Sequence, residues 1–164
     1  MTQPDCTQLF VYGLLTFPVI TKALTGHDFQ QSEALLPGYR RFGLSKDLDA
    51  GSVPVLMADS QAEQVGVLLS GVTAEDLAIL DFFEEIDGGL YRRELVRVYA
   101  NQQWQNAWVY LAGPQLAPFA VGPWQPEQVS AAQLQQLAEQ QIPELLQQYQ
   151  LMQNMTNSRG DAPN

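Results

Sequence analysis

The spacing of apolar positions changes several times along the chain, and each change marks an element. Leu9-Phe-Val-Tyr12 is a short apolar run ending at Gly13, the pattern of a buried strand followed by a turn that a side chain would crowd. Phe17, Ile20 and Leu24 then recur at helical spacing, with Thr16 placed to cap, Pro18 tolerated in the first turn and Gly26 as a stop. Three strands are expected at Leu35–Gly43, Val53–Met57 and Gln64–Leu69, parted by Asp, Gly and Ser turn residues. Thr73-Ala-Glu-Asp76 has the spacing of a capping box, and Leu77, Leu80 and Phe83 continue as the buried stripe of a helix of about three turns. Leu90 to Tyr99 alternates as a strand, and Trp104 to Leu111 returns as its hairpin partner across Ala100-Asn-Gln-Gln103. From Ser130 the composition shifts to glutamine with leucine. Leu134, Leu137, Ala138, Ile142, Leu145, Tyr149 and Met152 fall on one helical face, and Pro143 kinks that helix or starts a second segment. A helix packed on the sheet with a solvated Gln face is the reading favoured over a partner-binding helix.

The order of elements predicts a mixed α+β fold, a twisted sheet with single helices between its strands. At 164 residues the chain fits one domain, expected over 1–154 with a core at about 8–111 and a C-terminal helical part at about 128–154. Residues 155–164 read as a disordered tail, and the Arg159-Gly160-Asp161 tripeptide within it as chance. Charge narrows the function classes: 8 Lys and Arg against 18 Asp and Glu give a net charge of −10. That is the wrong sign for nucleic acid or an anionic membrane surface. With one cysteine, Cys6, and one histidine, His27, neither an internal disulfide nor a thiolate or imidazole metal cage is expected. Met1-Thr-Gln-Pro-Asp5 has no cationic region and no apolar run approaches a membrane span of roughly 18 residues, so a cytoplasmic protein without metal is expected.

Carboxylates and backbone amides remain as candidate chemistry. Glu84 follows Leu77 by seven and Leu80 by four, which puts it on the apolar face of its helix. Burial there and the negative end of the helix dipole would both raise its pKa, as suits a general base near neutral pH. Spacing alone favours a plainer alternative, in which Glu84 pairs with Arg92, Arg93 or Arg41 or reaches solvent. Glu85, one step around, is expected to be solvated. The N–H groups of Tyr12-Gly-Leu-Leu15, freed where a strand turns toward a helix, could cradle an anion or a developing oxyanion, or form an ordinary tight turn.

Together, Phe10-Val-Tyr-Gly-Leu-Leu15, Leu35-Leu-Pro-Gly-Tyr-Arg-Arg41, Leu80-Asp-Phe-Phe-Glu84, Tyr91-Arg-Arg93 and Ala107-Trp-Val-Tyr110 resemble the gamma-glutamylcyclotransferase-like superfamily in content, order and spacing. The branch they resemble most is the avirulence-induced one of plants and its bacterial relatives, over about residues 8 to 111. The resemblance implies a small barrel-like mixed sheet with the glycine loop at one end of a cavity. It implies an acyltransferase-type reaction that releases an amine or amino acid from a small gamma-glutamyl compound with formation of 5-oxoproline, without cofactor or metal. It reverses the balance on Glu84, which matches the family's catalytic glutamate. The glutamyl-holding loop falls on Tyr12, Gly13, Leu14 and Leu15, and further substrate-binding positions on Tyr91 and Tyr110. Leu14 departs from the family's Ser or Thr; the amides are kept and one side-chain hydrogen bond is lost. That departure supports an alternative, a small-ligand-binding module on the same fold with weak or no turnover. For Tyr91 and Tyr110 core packing is the alternative. Arg41 and Arg93 could meet a substrate carboxylate or simply carry surface charge.

Overall fold

The computed structural model describes residues 6–45 and 53–160. In chain order the elements are β1 (Gln8–Val11), α1 (Pro18–Thr25), β2 (Gln30–Leu44), β3 (Val55–Ser70), α2 (Ala74–Phe83), β4 (Tyr91–Ala100), β5 (Gln103–Ala112), β6 (Ala120–Val121), α3 (Ala131–Gln136) and α4 (Ile142–Gly160). The strands lie in the order β3-β1-β5-β4-β2-β6, and β2 also pairs with β3, which closes the first five into a barrel. β1 runs parallel to β5 and every other pairing is antiparallel. Closure leaves the barrel's backbone ladder without the exposed edges of an open sheet.

Side chains along β1 and β5 divide between two cores because successive residues of a strand face opposite ways. Phe10 and Tyr12 join Leu36, Leu68, Val98, Val109 and Leu111 inside the barrel. Leu9 and Val11 face the helices instead, with Leu69, Trp108 and Tyr110, and meet Ile20, Leu24, Leu80 and Ile142. Both faces of these strands are therefore covered, and each fully buried Leu, Ile or Phe contributes about 1.5–3 kcal/mol.

Local chemistry explains the helix limits. Thr73 and Asp76 form the expected capping box, the Thr73 side chain accepting from the Asp76 N–H and Asp76 from that of Thr73. The hairpin turn between β4 and β5 places Asn101 (φ 55°) and Gln102 (φ 65°) in left-handed backbone, the geometry that matches the twist of the strands. Thr16 does not cap α1; its hydroxyl turns back to the Gly13 carbonyl at 2.6 Å and Phe17 takes the N-cap position.

Two larger expectations are corrected. Val53–Met57 and Gln64–Leu69 are not separate strands: Val55–Met57 and Gln64–Leu69 belong to one 16-residue strand, β3, paired along β2. Asp59 and Ser60 mark a bulge rather than a turn, since the register jumps between Pro37 and Tyr39, where Gly38 adopts φ +86°. The Arg40–Asp59 ion pair at 2.9 Å spans the two strands there. The connection 46–52 lies outside the described residues. The second correction concerns the C-terminus: α4 continues past Asn154 to Gly160, because extending an existing helix costs far less than nucleating one. Residues 161–164 of the expected tail are outside the described residues. Between α3 and α4 the helix widens into a π turn at Leu137–Gln141, immediately before Pro143. Among the described residues no helix is long and apolar enough to cross a membrane.

Candidate active site

A cavity of about 710 Å³ opens at the end of the barrel where β1 gives way to α1. Tyr12, Gly13, Leu14, Leu15, Glu84, Tyr91 and Tyr110, the residues matched to the family's catalytic and substrate-binding positions, line it. They arrive from β1 and its following turn, from the end of α2, and from the β4–β5 hairpin.

The turn after β1 is tight because Pro54 presses on it. A Cβ on Gly13 would lie 2.5 Å from Pro54 Cγ, so only glycine fits without displacing that ring. Leu14–Thr16 then forms one 3-10 turn, with Thr16 N donating to Gly13 O at 3.0 Å and Phe17 N to Leu14 O at 3.1 Å. The N–H groups of Leu14 and Leu15 open this turn and have no acceptor within it.

Glu84 is the C-cap residue of α2, fixed on both sides by backbone chemistry. Ile86 N donates to Asp81 O and Glu85 N to Phe82 O, each at 3.2 Å, and Glu85 sits at φ 52°. This is a Schellman ending with glutamate in the left-handed position usually held by glycine. Among the described residues no hydrogen bond or ion pair reaches the Glu84 carboxyl, and what exposure it has is toward the cavity it lines. Its pKa is raised from 4.5 to about 8, first by desolvation and then by the neighbouring charges of Asp81 and Glu85. The arginines that could have neutralised it are engaged elsewhere. Arg93 pairs with Asp81 at 2.8 Å and Arg92 with Glu94. Arg41 donates to the Tyr12 carbonyl at 2.7 Å and lies over the Trp124 ring. Neither Arg41 nor Arg93 lines the cavity.

The tyrosines are fixed by their own hydroxyls. Tyr91 donates to Pro54 O at 2.8 Å, Tyr110 to Asp81 Oδ1 at 2.8 Å, and Tyr12 to the Tyr110 carbonyl. Burial raises the pKa of all three well above 10, with the Glu84 charge acting in the same direction, so each stays a neutral phenol.

Two contributions were not read from the sequence. Asp81, one turn before Glu84, anchors both Tyr110 and Arg93. No local pattern signals this role, since its partners lie 12 and 29 positions away. The outer wall comes from the C-terminal helical part, where Gln133, Gln136, Leu137 and Gln141 face the cavity. The glutamine face expected to be solvated is thus partly a cavity wall. Glu85 is exposed, as expected, and stands at the cavity rim. Among the described residues no group of three or more His, Cys, Asp or Glu is placed to hold a metal ion.

Comparison with known proteins identifies the family and the fold. A family model described as gamma-glutamyl cyclotransferase, AIG2-like, matches residues 9–126, which include all of β1 but Gln8, the Gly13 turn, Glu84 and the hairpin. AIG2-like protein C of Arabidopsis thaliana is 34% identical over 91 residues, 55% of this chain and 48% of that protein. The chain spans about half the length of the curated relatives it matches. Among solved structures, a solution structure from Arabidopsis thaliana superposes with a TM-score of 0.61 at 21% identity, covering 98% of both chains. One titled gamma-glutamyl cyclotransferase superposes with a TM-score of 0.57 at 17% identity, over 65% of this chain and 66% of that one. At these identities the structural likeness establishes the shared fold.

Proposed function

Since the chain belongs to the gamma-glutamyl cyclotransferase, AIG2-like family, we propose that it releases an amine or amino acid from a gamma-glutamyl compound and closes the glutamyl part to 5-oxoproline. The observation that carries this reading is Glu84, a carboxyl without a hydrogen-bond or ion-pair partner among the described residues, facing a cavity ringed by neutral tyrosines, with a pKa raised to about 8. A carboxyl so tuned is protonated and unprotonated in comparable amounts near the working pH, as general acid–base catalysis needs.

In this reaction the substrate supplies its own nucleophile. The α-nitrogen attacks the γ-carbonyl carbon in a five-membered closure, which the cavity promotes by holding the chain folded. Glu84 takes a proton from the α-ammonium so that the nitrogen lone pair can attack. The γ-carbon–nitrogen bond to the leaving group then breaks. Of the three ammonium protons one stays on the ring nitrogen, and two pass to the leaving nitrogen, which departs as an ammonium. The N–H groups of Leu14 and Leu15, without an acceptor in their own turn, face the carbonyl oxygen or the α-carboxylate, a role worth about 3 to 4 kcal/mol per donor where an oxyanion develops. Leu14 provides its amide and no hydroxyl. Among the described residues Glu84 and Glu85 line the cavity with no Lys or Arg, so neutral or cationic leaving groups suit it better than anionic ones.

The test is mass-spectrometric detection of 5-oxoproline after incubation with a panel of gamma-glutamyl dipeptides, a gamma-glutamylamine and glutathione, for wild type and Glu84→Gln. Product from wild type alone is expected. Glutamate in place of 5-oxoproline would mean hydrolysis by water, and no product from folded protein would mean a binding module.

A further inference from the structure

The end of α2 carries two carboxylates: Asp81 is held by two side chains, whereas Glu84 has no partner among the described residues. Arg93 donates Nε to Asp81 Oδ1 at 2.8 Å and Nη2 to Oδ2 at 3.1 Å, and the Tyr110 hydroxyl donates to Oδ1 at 2.8 Å. Arg93 is itself immobilised, its side chain 14% exposed and its guanidinium 4.3 Å from the Trp108 ring centroid. Asp81 does not line the cavity, whereas Tyr110 does.

A phenol has one proton and two lone pairs. With that proton on Asp81, what Tyr110 offers the cavity is an acceptor. Tyr91 is in the same state, its proton held by Pro54 O at 2.8 Å. Burial keeps both phenols protonated, and both lie close enough to Glu84 to feel its charge. The wall around Glu84 therefore presents phenolic oxygens and carboxyls, with no Lys or Arg lining it among the described residues. An ammonium, with three donors and a positive charge, is the group that such a wall binds.

We propose that Asp81 is a positioning residue: clamped by Arg93, it takes the single proton of Tyr110 and fixes the phenolic oxygen as an acceptor for the ammonium group of the bound ligand. This rests on the gamma-glutamyl reading, in which that ammonium bears the attacking nitrogen. Asp81 touches no reacting atom and acts through Tyr110. Were the Tyr110 proton free to turn into the cavity, it would meet the ammonium donor to donor.

The test separates ammonium recognition from turnover. Binding of L-methionine sulfone, a glutamyl analogue that cannot cyclise, is compared with that of 4-(methylsulfonyl)butanoate, which lacks only the amine. Calorimetric titration is carried out on the full chain for wild type, Tyr110→Phe and Asp81→Leu, which has no acceptor for the Tyr110 proton, with 5-oxoproline release measured in parallel. Wild type is expected to bind the amine-bearing compound at least about 10-fold more tightly. Both variants should lose most of that preference while binding the deamino compound as wild type does, a pattern that general loosening of the site would not produce. An unchanged preference in Tyr110→Phe overturns the proposal, as does loss in Tyr110→Phe with full retention in Asp81→Leu, or a wild type that binds neither compound. If Asp81→Leu does not fold, Asp81→Leu combined with Arg93→Leu, which leaves no unpaired charge, takes its place. Absence of turnover with the ammonium preference intact would remove the cyclotransferase reading and leave this one standing.

Discussion

On the barrel side of the cavity the three tyrosine hydroxyls are each held by a protein acceptor: the Tyr110 carbonyl, Pro54 O and Asp81. On the C-terminal side Gln136 and Gln141 are exposed, and among the described residues neither side chain makes a hydrogen bond within the protein. The first wall is rigid because its polar groups are satisfied before any ligand arrives, which is what preorganised chemistry requires. The second wall, carried on a helix interrupted by a π turn at Leu137–Gln141, leaves its amides free to meet whatever enters. The family match ends at residue 126, before this second wall begins. The proposed reaction thus gives the two walls different tasks, the shared glutamyl part to the barrel and the variable leaving group to the helix.

The largest effect should follow from Glu84, which stands between the two walls. Glu84→Gln is expected to lower 5-oxoproline release by about 10² to 10⁴-fold, measured as kcat/KM on the best substrate of the panel. The same substitution should stabilise the protein. A carboxyl with pKa 4.5 unfolded and about 8 folded binds more protons in the folded state between those values, so stability falls as pH rises from about 4.5 to about 8. Glu84→Gln removes that decline, and its Tm should exceed that of wild type by several degrees above pH 8 and match it near pH 4. An equal Tm difference at both pH values would place the carboxyl in an ordinary environment.

A smaller effect is expected at the helical wall. Gln136→Ala with Gln141→Ala should change the ranking of leaving groups by up to about 10-fold, read from kcat/KM across the panel, since each neutral hydrogen bond contributes about 1 kcal/mol. A uniform loss across all substrates would contradict the division of labour. The smallest effect lies outside the cavity, at the start of α2. His27 Nε2 lies 2.9 Å from Asp76, and that hydrogen bond raises the imidazole pKa from 6.5. The contribution is present in full below pH 6.5 and fades as pH rises through the folded value. His27→Gln should thus lower Tm by about a degree or less at pH 5.5, with no difference well above the folded pKa. Activity should not follow it.

Much of this was legible in the sequence where the cause is local. The Leu9–Tyr12 run with its glycine, the Thr73–Asp76 capping box and the Asn101-Gln102 hairpin turn each depend on residues within a few positions of one another. The position of Glu84 on an apolar face was legible for the same reason. What could not be read depends on distant contacts. Arg93 meets Asp81 across 12 positions, Tyr110 meets it across 29, and Tyr91 reaches Pro54 across 37. No periodicity reports such pairings. The two fused halves of β3 were mistaken for separate strands because Asp59 and Ser60 carry turn-like chemistry, here spent on a bulge opposite Gly38. The glutamines of the outer wall resembled a solvated face because a neutral polar side chain on a helix looks the same whether it borders water or a ligand cavity.

The most direct test of Glu84 as the group that runs the reaction is the pH dependence of kcat/KM for 5-oxoproline release by wild type. An acidic limb with its midpoint near pH 8 is expected, with activity rising as the carboxyl loses its proton. A profile already flat above pH 5 would mean that an ordinary carboxylate or another group carries the proton, and would contradict the account.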